Sequence, residues 1–84
     1  MRVTLKLYAT LTDYLPAHAR RDNQVTLEVG EGATVTAVLE PCGLPPKLVH
    51  LVLVNGVFVP PGDRAGRALS DGDVLAVWPP IAGG

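Results

Sequence analysis

An excess of charge is what the sequence most plainly lacks: 7 basic and 8 acidic residues among 84 leave a formal net charge of −1. That balance argues against a dedicated nucleic-acid binder, which carries a basic surplus. It also argues against a disordered chain, which needs low hydrophobicity and high net charge. Aromatic residues are scarce, four in all (Tyr8, Tyr14, Phe58, Trp78), too few for a base-stacking platform. A single cysteine, Cys42, excludes an internal disulfide and metal sites built from four cysteines or from two cysteines and two histidines. No apolar run approaches the roughly 18 residues of a membrane span, and no basic, apolar, small-residue leader opens the chain. The expected setting is the reducing cytoplasm, with neither nucleic acid nor membrane as partner.

What the sequence does have is aliphatic bulk. Apolar residues make up 48% of it, most of them Val or Leu, enough for one core in a chain the size of one small domain. Val3, Leu5 and Leu7 alternate with Arg2, Thr4, Lys6 and Tyr8, the period of a strand with one buried face. Leu11 and Leu15 suit one or two helical turns closed by Pro16, and residues 17–23 read as a solvated loop. Val25, Leu27 and Val29 alternate with Gln24, Thr26 and Glu28 as a second strand. Thr34 is placed to cap a helix through Val35, Val38 and Leu39, which Pro41 and Gly43 stop early. The continuous apolar run 51–54 predicts a strand buried on both faces. Asn55-Gly56 predicts a tight hairpin returning through Val57-Phe58-Val59. Residues 63–67 read as a polar loop, Ser70-Asp71-Gly72-Asp73 as a turn, and 74–78 as the last strand. The order β, β, helix, β, β, β predicts an α+β arrangement with the first and last strands as central neighbours and the helix on one face.

Pro79-Pro80-Ile81-Ala82-Gly83-Gly84 comes after the last strand. Pro-Pro cannot join a sheet interior and holds the rest of the tail away from the body in an extended form. Two glycines without Cβ atoms can enter a narrow channel in another protein. The reactive group such a tail offers is the α-carboxylate of Gly84, which acylates nothing until its oxygen becomes a good leaving group. Adenylation would achieve that, yet no GxxxxGK[ST] phosphate loop is present. ATP chemistry would therefore come from a partner.

With these residues the chain resembles the sulfur carriers of the MoaD/ThiS group, ubiquitin-like β-grasp proteins, and within that group the molybdopterin synthase small subunit. The resemblance runs through Val3-Thr4-Leu5-Lys6-Leu7-Tyr8-Ala9-Thr10-Leu11, Gly32-Ala33-Thr34-Val35, Leu53-Val54-Asn55-Gly56, Leu69-Ser70-Asp71-Gly72-Asp73 and the Pro-Pro-Ile-Ala-Gly-Gly end. Residues 44–56 are also similar to ubiquitin-like domains attached to nuclease-type modules. The resemblance implies a β-grasp domain over residues 1–78, with a mixed sheet of four to five strands and one main short helix, and a flexible tail over 79–84. It implies that Gly84 is adenylated with Mg-ATP by an E1-like enzyme. A sulfurtransferase or cysteine desulfurase then supplies sulfur to give a thiocarboxylate. Gly83, Ala82, Ile81, Pro80 and Pro79 would guide the tail into the large subunit of molybdopterin synthase, where sulfur passes to cyclic pyranopterin monophosphate. The chain would bind no cofactor or metal itself and would act as a sulfur-donating subunit rather than a stand-alone catalyst. Rival readings are a carrier for thiamine synthesis, a ubiquitin-like modifier joined to lysines through Gly84, and a plain interaction module.

Other side chains invite blander accounts. Cys42 reads as a structural cysteine rather than a nucleophile. His18 and His50 read as solvated residues rather than a metal pair. Arg20, Arg21, Arg64 and Arg67 read as loop charges before docking charges, and Asp71 and Asp73 as turn formers. Trp78 and Phe58 have two readings of similar weight: core filling, or a docking patch beside the tail.

Overall fold

Alternation along the first residues builds a central strand. β1 (Arg2–Leu7) buries Val3, Leu5 and Leu7 to 1% exposure or less and leaves its even-numbered residues on the other face. A computed structural model describes residues 1–80. β2 (Gln24–Glu28) pairs antiparallel with β1, Val3 opposite Leu27 and Leu5 opposite Val25. After it, α1 (Val35–Leu39) begins at Thr34, whose Oγ1 accepts a hydrogen bond of 3.2 Å from the Ala37 N–H, as the sequence predicted. A 3-10 turn (Glu40–Cys42) extends α1 to Gly43, whose φ of 75° provides the left-handed stop.

β3 (Leu51–Val54) and β4 (Val57–Phe58) form the hairpin turned at Asn55-Gly56, with φ of 51° and 82°, the pair of positive φ values a tight hairpin requires. β5 (Val74–Trp78) then runs between β1 and β3, parallel to the first and antiparallel to the second. The five-stranded sheet has the order β2-β1-β5-β3-β4. The expected α+β arrangement is present, with first and last strands side by side. On one face, Leu5, Leu7, Val52, Val54, Leu75 and Val77 pack with Val35, Val38 and Leu39 of α1 into the core. Each such fully buried side chain contributes about 1.5–3 kcal/mol.

The structure corrects three local expectations. β3 is buried on one face only: Val52 and Val54 are inside, while Leu51 and Leu53 are half-buried on the other side. The run looks two-sided in sequence because the outer face of the sheet is itself apolar there. Residues 17–23 are not wholly a solvated loop, since a 3-10 turn (Ala17–Ala19) tucks Ala19 into the core at 3% exposure. Arg64, expected in a solvated loop, is only 9% exposed. Its Nε donates to the Val59 carbonyl (3.1 Å), Nη1 to Val49 (3.1 Å) and Nη2 to His50 (3.0 Å). One guanidinium thereby ties the segment before β3 to Val59, the residue that follows the hairpin. Burial pulls its pKa down, but a guanidinium stays charged at neutral pH.

Candidate functional site

The helix covers one face of the sheet, so the other is open, and the register fixes what it displays. Lys6, Ala76, Leu53 and Phe58 stand in one row across β1, β5, β3 and β4. Trp78 and Leu51 form the neighbouring row. Tyr8, immediately after β1, lies with its ring stacked on Trp78, centroids 4.1 Å apart and planes 2° from parallel. Its N–H donates to the Val77 carbonyl (3.1 Å), which holds it beside the end of β5. Polar residues occupy the remaining area, with Thr4 opposite Thr26 and Lys6 opposite Gln24. The open face is thus divided: apolar over β5, β3 and β4, polar over β1 and β2.

Phe58 is 51% exposed at the edge of the apolar half, more open than a core residue is. Trp78 is half-buried, with one ring face used by Tyr8. Ala76 is 7% exposed although it points to the open side, because Lys6 and Leu53 flank it in the row. Large exposed apolar patches with polar surroundings are the usual form of a contact site for another macromolecule. Sequence reasoning found Trp78 and Phe58 but missed Tyr8, Leu51 and Leu53. The signal for Tyr8 was present: alternation from Leu7 places it opposite the core. For Leu51 and Leu53 the continuous apolar run hid the same alternation.

The patch ends at the root of the tail. The His50 N–H donates to the Trp78 carbonyl (3.1 Å), and the His50 carbonyl accepts from Arg64 Nη2. Two hydrogen bonds therefore anchor the point from which the chain leaves the sheet. Pro79 is half-buried and Pro80 exposed, both outside the last strand. Ile81, Ala82, Gly83 and Gly84, the other tail residues singled out by sequence, lie outside the described residues.

The remaining candidates are placed elsewhere. Cys42 is half-buried against α1, its thiol donating to the Val38 carbonyl (3.5 Å), and burial pushes its pKa up, which lowers the thiolate fraction and its reactivity at neutral pH. Asp73 serves the turn: its carboxylate accepts from the Ser70 N–H (2.8 Å) and from Asn55 Nδ2 (2.9 Å). These bonds, the Ser70 one foremost, hold its pKa below the usual carboxylate value. Asp71 accepts from the Arg2 N–H (2.8 Å). No group of three or more His, Cys, Asp or Glu side chains suited to a metal occurs among the described residues. No helix among them is long and apolar enough to cross a membrane.

The sequence matches the Mut7-C ubiquitin family over residues 1–82. No curated protein matches it. Among solved structures, the HVO 2177 protein of Haloferax volcanii is 31% identical, covering 100% of this chain and 87% of that one, with a TM-score of 0.76. SAMP1 of Haloferax volcanii is 27% identical over 100% of both chains, TM-score 0.71. The complex of subunits 1 and 2 of the molybdopterin-converting factor of Helicobacter pylori contains a chain 17% identical over 100% of both, TM-score 0.62. At that identity the likeness is one of fold, and it is the β-grasp fold expected from the MoaD/ThiS resemblance. With the match spanning nearly its full length and the sheet order now described, this chain belongs to the Mut7-C ubiquitin family and has the ubiquitin-like fold of sulfur carriers and protein modifiers.

Proposed function

We propose that the chain is a sulfur carrier acting as the small subunit of a molybdopterin synthase. Residues 1–78 form the body and 79–84 the working tail. The observation that carries this reading is the convergence of the apolar half of the open face on Trp78, where Pro79-Pro80-Ile81-Ala82-Gly83-Gly84 begins. A surface that docks a partner and a slender tail leaving from its border are the two parts a carrier needs. Phe58 and Trp78 would be the docking anchors. In this reading an E1-like enzyme in the cytoplasm uses Mg-ATP to convert the Gly84 carboxylate to an acyl adenylate, releasing pyrophosphate. The persulfide of a sulfurtransferase or cysteine desulfurase then displaces AMP to give an acyl disulfide, and a second thiol cleaves that disulfide, becoming oxidised to a disulfide with the donor cysteine and leaving the thiocarboxylate. Seated in a large subunit, that sulfur is shielded from water and held for transfer to cyclic pyranopterin monophosphate. The side chains of this protein position the tail and make no bonds themselves.

A modifier role, with Gly84 joined to lysines of target proteins, is the second reading. The likeness to SAMP1, a small archaeal modifier protein, favours it. Intact-mass measurement after incubation with ATP, an E1-like enzyme and a sulfur donor tests the carrier reading. Replacement of one oxygen by sulfur at Gly84, then its loss on adding large subunit and cyclic pterin, is the expected result. A terminus that is never thiolated overturns it. Gly-Gly remnants on target lysines, with no sulfur delivered to a pterin, would establish the modifier instead.

A further inference from the structure

The chain has two asparagines, Asn23 and Asn55, and only Asn55 is followed by glycine. That pairing matters for chemistry as well as for the turn. A main-chain nitrogen can attack the side-chain amide carbon of the asparagine before it, and glycine, lacking a Cβ, obstructs that approach least. Asn55 and Gly56 are both exposed at the hairpin tip. A Cβ on Gly56 would meet nothing within 4 Å, so solvent base reaches the Gly56 N–H.

The Asn55 carboxamide is engaged at both ends. Its Oδ1 accepts from the Val74 N–H (2.9 Å), and its Nδ2 donates to Asp73 Oδ1 (2.9 Å). One partner is a donor only and the other an acceptor, which fixes the orientation of the amide. The Asn55 N–H donates to the Val74 carbonyl (2.9 Å), and the second Asp73 oxygen accepts from the Ser70 N–H (2.8 Å). The side chain thus clasps the β3–β4 hairpin to the turn that opens β5. To present its carbon to the Gly56 nitrogen it has to leave both side-chain bonds, one of them to a charged group.

An aspartate at this position would tolerate the same positive φ and could still accept from Val74. Its second oxygen, however, would replace a donor 2.9 Å from the Asp73 carboxylate, turning attraction into like-charge repulsion. Arg67 acts on Asp73 from a distance, but no cation lies within ion-pair reach of Asp73 among the described residues.

We propose that Asn55 is a site of spontaneous deamidation whose rate is held down by this clasp and whose product opens it. The Gly56 nitrogen loses its proton to solvent base and bonds to Asn55 Cγ. The Cγ–Nδ2 bond breaks, and the departing nitrogen takes up a proton and leaves as ammonia. Water then opens the resulting cyclic imide at either carbonyl, giving aspartate or isoaspartate, with no oxidant or reductant involved. In isoaspartate the main chain runs through the side-chain carbon and is one atom longer. It then no longer fits the turn that sets Phe58 opposite Leu53. The inference stands on the turn and does not depend on the chemistry at Gly84.

The test incubates the full chain, folded and in urea, in mildly alkaline buffer and follows Asn55 by mass mapping of its peptide. The folded protein is expected to react at least about tenfold more slowly than the unfolded chain, and a folded Asp73→Ala variant about tenfold faster than the folded parent. Urea unfolding provides a separate arm. Asn55→Asp should lower the midpoint, and adding Asp73→Asn, which puts a donor back opposite the new carboxylate, should recover most of the loss. The proposal is overturned by an unfolded chain that does not deamidate at Asn55, or by a folded protein that reacts as fast as the unfolded one. A folded Asp73→Ala variant no faster than the parent also overturns it. So does an Asn55→Asp variant as stable as the parent, or a double variant no more stable than Asn55→Asp alone.

Discussion

Replacing Arg64 by methionine removes the guanidinium while keeping most of the apolar stem in place. Three carbonyl oxygens lose a donor. Val49 is half-buried and His50 exposed, so water can reach their carbonyls once the guanidinium is gone. Val59 is 4% exposed, and its carbonyl stays dry. A net value of about 1 kcal/mol for each of the first two bonds, and somewhat more for the third, gives about 3 kcal/mol. For a domain of this length that corresponds to a drop in Tm of about 12–24 °C. Urea unfolding at pH 7, monitored by the fluorescence of Trp78, is the assay. The midpoint should fall with an unchanged slope. Arg64→Lys, which retains a charge but a single point of donation, should lie between the two. A methionine variant within about 0.5 kcal/mol of the parent would refute the view that this side chain staples the segment preceding β3. Because His50 also holds the Trp78 carbonyl, the same variant should loosen the root of the tail, seen as faster exchange of the His50 amide.

Phe58→Ala should leave stability within about 0.5 kcal/mol but weaken association with a large subunit or E1-like enzyme about tenfold, measured by calorimetry, as loss of an exposed anchor does. Trp78→Ala should weaken the same association and also destabilise the body by about 2–3 kcal/mol, through lost burial and the lost Tyr8 stack. Asp73 has a folded pKa below its unfolded value, so its contribution is present above about pH 4 and disappears as the pH falls through the folded value. Asp73→Asn should therefore cost about 1 kcal/mol at pH 7, and denaturant titrations should show that deficit shrinking toward pH 2. Thr34→Ala removes the cap on α1 and should cost about 1 kcal/mol in the same titrations.

Local patterns carried much of the fold. Alternation in β1 and β2, Asn55-Gly56 at the hairpin and Thr34 ahead of α1 each depend on neighbours in sequence, and the structure shows all of them. Arg64 was illegible for the opposite reason. Its partners are main-chain carbonyls 14 and 15 positions earlier and one 5 earlier, and a carbonyl leaves no trace in residue type. The burial of Leu51 and Leu53 was overstated because an apolar contact patch and an apolar core use the same letters. Trp78 and Phe58 were visible as candidates, but only the strand register places them on one face with Tyr8.

The parallel pairing of β1 with β5 joins positions 4 and 74 at the middle of the sheet. A ladder closed over so long a loop forms late and slowly. During synthesis, β1 has no central neighbour until the segment through Trp78 has left the ribosome. The tail is thus rooted in the last strand of the sheet to arrive, and a partner docking on the patch around Trp78 would meet it only on bodies whose sheet has already closed.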